Sequence, residues 1–238
     1  SVSAFLLNRS SDLQSCMVLS ALFLSCKNEF ETNQIEISYE NTSLRNNFRK
    51  GLENSNSDLS RSINEDSENS VEYKFPEGIT PAEFLLENNL ISQNTAKYIQ
   101  SVESIIIDKT LTIEDTVLQI EQIELDAKSV LKEDEYTAFL NFSEMSIASL
   151  DYYSNLESTD RGLFSWLKEK SNNICNAVVS GALGAVVGGI LYASASAVVI
   201  WPGITVAGFV FGAVTVGASS AWAGFLSGDY ILKFHRGF

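Results

Sequence analysis

Hydrophobic and polar positions divide the chain into four unlike stretches. An apolar run of ten, "MVLSALFLSC" at 17–26, is followed by polar residues to about position 75. Its centre, "ENSNSDLSRSINEDSENS" at 53–70, carries almost no apolar side chain. From 77 to 158 apolar residues recur at helical spacing. "TPAE" at 80–83 predicts a helix start, with a capping hydroxyl on Thr80, Pro81 at the first position and Glu83 at the third. A second helix follows Ser92, with Tyr98, Ile99, Val102, Ile105 and Ile106 on one side. A third opens at the cap-spaced pair Thr112 and Asp115, and Ile113, Val117, Ile120, Ala127 and Val130 line it. A fourth runs from about Glu133 to Leu156, with a broad face from Tyr136 through Phe139, Leu140, Ser143 and Ile147 to Leu150. Short connections between amphipathic helices predict a small antiparallel bundle.

The last stretch is apolar throughout. Between Lys170 and Asp229 lie 58 consecutive residues without a charge. As a single helix they would be about 87 Å long, against roughly 30 Å of bilayer hydrocarbon. The stretch must therefore fold back, and "WPG" (Trp201, Pro202, Gly203) is where a helix loses a donor and gains a turn residue. Two arms result, 174–200 and 204–227, each long enough to cross a membrane. The fold class is mainly α: a disordered acidic tether, a small antiparallel bundle, and a C-terminal hairpin of transmembrane type. The boundaries are 1–25 for a signal-peptide-like leader, 26–76 for the tether and 77–158 for the bundle. An interfacial helix or linker takes 159–173, the hairpin 174–228, and a short basic tail 229–238.

Small residues add a second pattern inside the arms. Ala177, Gly181, Ala185, Gly189, Ala193 and Ala197 fall every four residues, beside Ser180, Gly184 and Gly188. The second arm carries Gly208 and Gly212, then Ser220, Gly224 and Gly228. Within lipid, helices associate by close backbone approach rather than by hydrophobic drive. One stripe suffices for the partner arm, so the extra one suits either tight packing within one hairpin or association between copies.

Charge sharpens the division. The formal net charge is -14, yet residues 27–170 hold 28 acidic and 13 basic side chains, while 171–238 hold one acid. An acidic water-facing half without a basic cluster argues against a nucleic-acid partner. "LFSWLKEK" at 163–170 sets Trp166 beside Lys168 and Lys170, suited to headgroup depth or to a linker packed on the bundle. Lys233 and Arg236 close the other end, so both flanks lie on one side of any membrane the hairpin spans.

Candidate chemistry is sparse. Cys16, Cys26 and Cys175 form no CxxC or Cys/His metal spacing, and His235 is the lone histidine. The glycine-rich arms match neither a P-loop nor a dinucleotide fingerprint. No cofactor, metal or enzymatic reaction is expected.

Two resemblances follow from these residues. "FLSC" (Phe23, Leu24, Ser25, Cys26) resembles the lipobox of bacterial lipoproteins, with Phe23 where Leu is preferred. The following "KNEFE" is similar to a surface-export patch. This resemblance implies acylation at Cys26 and residence in a bacterial cell envelope or at the cell surface. The layout of 80–238 resembles pore-forming colicins, and the arms resemble glycine-zipper segments and hydrophobic bacteriocins. These imply a protein that inserts into a bilayer and permeabilises it or oligomerises there through the glycine stripe. The alternative is a passive anchor holding an acidic bundle for an unidentified protein partner.

Overall fold

The computed structural model describes residues 41–62, 70–75, 78–160, 171–197 and 202–235. Among them lie seven helices: α1 (Asn41–Ser62), α2 (Pro81–Glu87), α3 (Gln93–Ile107), α4 (Ile113–Val130), α5 (Glu133–Asp160), α6 (Asn172–Ala197) and α7 (Pro202–Ser227). Two strands, β1 (Ser70–Lys74) and β2 (Ile231–His235), pair antiparallel. The protein is mainly helical and ends in an apolar helical pair.

The bundle helices start where their caps predict. Thr80 closes a reciprocal capping box with Glu83, and Pro81 is the first residue of α2. Ser92 Oγ accepts from Thr95 N at 3.2 Å, and Thr112 Oγ1 from Asp115 N at 3.0 Å. Each cap satisfies one amide that the helix itself leaves without a partner.

The centre of the molecule is α5. Every residue from Phe139 to Leu150 is buried, including Asn141, Ser143, Glu144, Ser146 and Ser149. The expected one-sided apolar face is therefore covered all round, by α1, α3, α4 and α6. Ser146 Oγ, on the polar side of α5, donates back to Phe142 O at 2.7 Å, so burial leaves this hydroxyl satisfied. Bundle and hairpin share one core, in which Phe142, Met145 and Leu150 join Val178, Leu183 and Val186.

Two corrections concern the tether and the tail. Residues 41–62 are not tether: Leu44, Phe48 and Leu52, four apart, give α1 an apolar edge that docks on α5 and α7. Phe48 and Leu52 are fully buried. Three docked apolar residues suffice in a mostly polar helix because tertiary docking, rather than local propensity, holds it. Residues 70–74 and 231–235, assigned to tether and basic tail, are strand partners instead, with Glu72 opposite Lys233 and Tyr73 opposite Leu232.

Candidate functional site: the apolar hairpin and its cover

Both α6 and α7 contain a stretch long and apolar enough to cross a membrane, Asn172–Ala193 and Gly208–Ser227. Length and composition alone would also fit the core of a water-soluble fold, and both helices are largely covered by protein here. Pro202 opens α7 at its first position, where its missing N–H costs nothing.

The small residues let the two helices nearly touch. A Cβ added at Gly184 would stand 2.8 Å from both Ser220 Oγ and Val216 O. At Gly224 it would stand 2.6 Å from Ser180 Oγ and 2.7 Å from Asn176 O. Gly188 and Gly212 face each other, each set to strike the other's carbonyl oxygen. Gly181 looks between α7 and α5, toward Ala221 at 2.7 Å and Met145 at 3.0 Å. Ala185 lies beside Gly217, Ala177 is fully buried, and Gly189 meets the Phe209 ring. Both stripes of α6 are thus occupied within one chain, the extra one by α5 and the side of α7. Gly228 plays another part. Its φ of 70° and its N–H to Gly224 O at 3.1 Å end α7 in the left-handed turn that suits glycine.

Cover is uneven along the hairpin. From Ile174 to Gly189 every residue of α6 but Asn176 is buried. Toward the tip, Ile190–Ala193 and Gly208–Val210 are only half-buried, and Phe211 is 46% exposed, its ring 5.5 Å from that of Tyr192. Among the described residues of α6 and α7, none toward this end is charged. The opposite end, the root, is polar: Asn176 Nδ2 donates to Gly228 O at 2.5 Å, and Cys175 Sγ to Ile106 O at 3.4 Å.

Beside the hairpin a half-buried ion cluster ties α1 to α4 and α5. Arg45 Nε donates to Glu144 Oε2 at 2.6 Å, and its Nη1 to Glu121 Oε1 at 3.1 Å. The Glu144 side chain is wholly buried, so this guanidinium offsets a charge that would otherwise be costly. Burial raises the Glu144 carboxyl, and Arg45 opposes the rise. Nearby Glu124 is pushed up to about 7 by burial and then by the Glu144 charge. Glu103 is likewise pushed up to about 7 by burial, although its Oε1 accepts from Ala82 N at 2.7 Å. Among the described residues no group of three His, Cys, Asp or Glu is placed to hold a metal ion.

Several expected site residues lie outside the described residues: Cys26, Trp166, Lys168, Lys170, Trp201 and Arg236. Lys233 is in β2, and its Nζ pairs with Glu72 Oε1 at 3.4 Å. The sequence reading missed the Arg45 cluster and the seat of β2 on the hairpin. Serines in an otherwise apolar arm were the available signal for the second. Compared with known proteins, the chain matches no family, no curated protein and no solved structure.

Proposed function

We propose that this is a non-enzymatic membrane-associated protein whose α6–α7 hairpin enters a bilayer tip first and permeabilises it. Its helical bundle stores the hairpin beforehand. The observation carrying this reading is the uneven cover: the uncharged aromatic residues toward the tip, Tyr192, Phe209 and Phe211, are less shielded than the buried middle of the two span-length helices. An uncharged tip avoids the cost of drawing an ion into hydrocarbon. Oligomerisation through Gly181, Ala185 and Gly189 belongs to the opened state, because α5 and α7 occupy that surface in the folded chain. Purified protein with Cys26→Ser is expected to release dye from neutral liposomes, with little dependence on salt. Binding without release at any lipid composition would leave the passive anchor as the function.

A second reading is favoured by the burial of α6: the hairpin is the permanent core of a globular helical protein. Protein that stays in solution and never co-floats with liposomes would establish it.

We further propose export to a bacterial cell envelope with an acyl anchor at Cys26. Metabolic labelling with a fatty-acid analogue is expected to mark the wild type and not Cys26→Ala. Equal labelling of both removes the lipoprotein assignment.

A further inference from the structure

We propose that β2 is a clasp that holds the hairpin closed, so that hairpin opening requires β2 to lift off the root. Strand β2 lies between two partners. On one side is β1, in register from Ser70 opposite His235 to Lys74 opposite Ile231. On the other side are serines of the hairpin itself. Ile231 N donates to Ser180 Oγ of α6 at 3.0 Å, and Lys233 N to Ser220 Oγ of α7 at 2.9 Å. Ser219 Oγ donates to Lys233 O at 2.8 Å. Peptide groups alternate in direction along a strand, so Leu232 and Phe234 turn theirs toward β1. The Phe75 N–H to Tyr230 O contact at 3.3 Å extends the same pattern.

The arrangement couples three things that must separate for insertion. Ser180 belongs to one arm and Ser219 and Ser220 to the other, so one short strand ties both arms at the root. The serines sit in a helix pair otherwise suited to lipid, and in the folded chain their hydroxyls meet a strand backbone. Ile231 and Leu232 are both buried. Beyond the root, β1 leads toward α2, and Phe75 packs edge-on against Phe84 with ring centroids 4.9 Å apart. The clasp is therefore anchored to the bundle and not only to its own turn. This inference rests on the membrane reading for its purpose, but the clasp itself is a property of the folded chain.

Glu72 and Lys233 are directly opposed, and Lys233 turns its backbone groups to the helices, which makes this a non-hydrogen-bonded pair. Such pairs have the closer Cα atoms and accept a cross-strand disulfide. The test uses the full chain with Cys16→Ser and Cys26→Ser, carrying Glu72→Cys and Lys233→Cys, compared oxidised and reduced. Hydrogen exchange in water is read separately over α6–α7 and over α3–α4. Oxidation is expected to slow α6–α7 exchange about tenfold or more relative to α3–α4, and to slow dye release in parallel. The converse variant, Ser180→Ala with Ser220→Ala, removes two acceptors and is expected to speed α6–α7 exchange by about tenfold. Equal slowing of all helices on oxidation, or unchanged exchange in the serine variant, overturns the clasp. If the exchange results hold while neither redox form ever releases dye, the clasp stands and the permeabilising function is what fails.

Discussion

Gly188→Val is expected to destabilise the fold by about 4 kcal/mol or more, which would leave much of the chain unfolded at 37 °C. A Cβ at this position would collide with the Gly212 carbonyl oxygen and with the Val216 side chain, 2.6 Å from its Cβ. Two further methyls would follow into the same space. Overpacking usually costs about 1–3 kcal/mol because side chains shift to absorb it. Here the obstacle includes a backbone oxygen in the middle of a helix, and α7 cannot retreat freely, since α1 and β2 pack against it. Gly189→Ala is the internal control. The three atoms nearest its Cβ all belong to the Phe209 ring, the closest at 2.9 Å, and a ring near the half-buried tip has room to turn. Urea denaturation followed by circular dichroism should show a midpoint much lowered for Gly188→Val and little changed for Gly189→Ala. A loss below about 1 kcal/mol at Gly188 would mean that the two helices do not approach as closely as these distances require.

The same glycine shows how far the sequence could be read. Four-residue spacing of small side chains revealed that α6 has a smooth surface, and the length of the uncharged stretch revealed that it folds back. Neither feature says what lies against the surface. Gly181 faces both Ala221 of α7 and Met145 of α5, and the second contact depends on how α5 packs. Local signals did well where the physics is local. Thr80, Ser92 and Thr112 each cap the helix they were expected to cap. Long-range pairing was out of reach: β1 and β2 are short and lie far apart along the chain. Helix α1 escaped for another reason. Its apolar edge is only Leu44, Phe48 and Leu52 among polar neighbours, and Arg45 gains its meaning from Glu144 on α5. Composition averaged over the segment hid all four.

The buried carboxyls set a pH dependence opposite to acid-triggered opening. Glu103 and Glu124 have folded-state values pushed up to about 7, above the ordinary carboxylate range, because burial disfavours their charged forms. A carboxyl raised in this way contributes stability that is full below its unfolded value and is lost as pH rises through its folded value. The window therefore runs from about 4.5 to 7. A tenfold change in proton affinity corresponds to about 1.4 kcal/mol. The two groups together should therefore cost several kcal/mol between pH 5 and pH 8, less than their simple sum because Glu124 interacts with the Arg45 cluster. Their charged neighbours do not reverse the sign. Glu83 lies near Glu103 and adds to its rise, while around Glu124 the Glu144 and Glu121 charges oppose the single cation of Arg45. Glu83 and Glu135 are themselves lowered by hydrogen bonds, so their contribution fades only as pH falls below the ordinary range. Unfolding free energy should thus peak near pH 5, fall to about pH 7 and level off toward pH 8. Glu103→Gln with Glu124→Gln should flatten that fall, leaving the variant less sensitive to pH than the wild type. Since loosening the cover frees the hairpin, dye release should also rise from pH 5 to pH 8. Faster release on acidification would show that other groups control opening and that these two carboxyls do not.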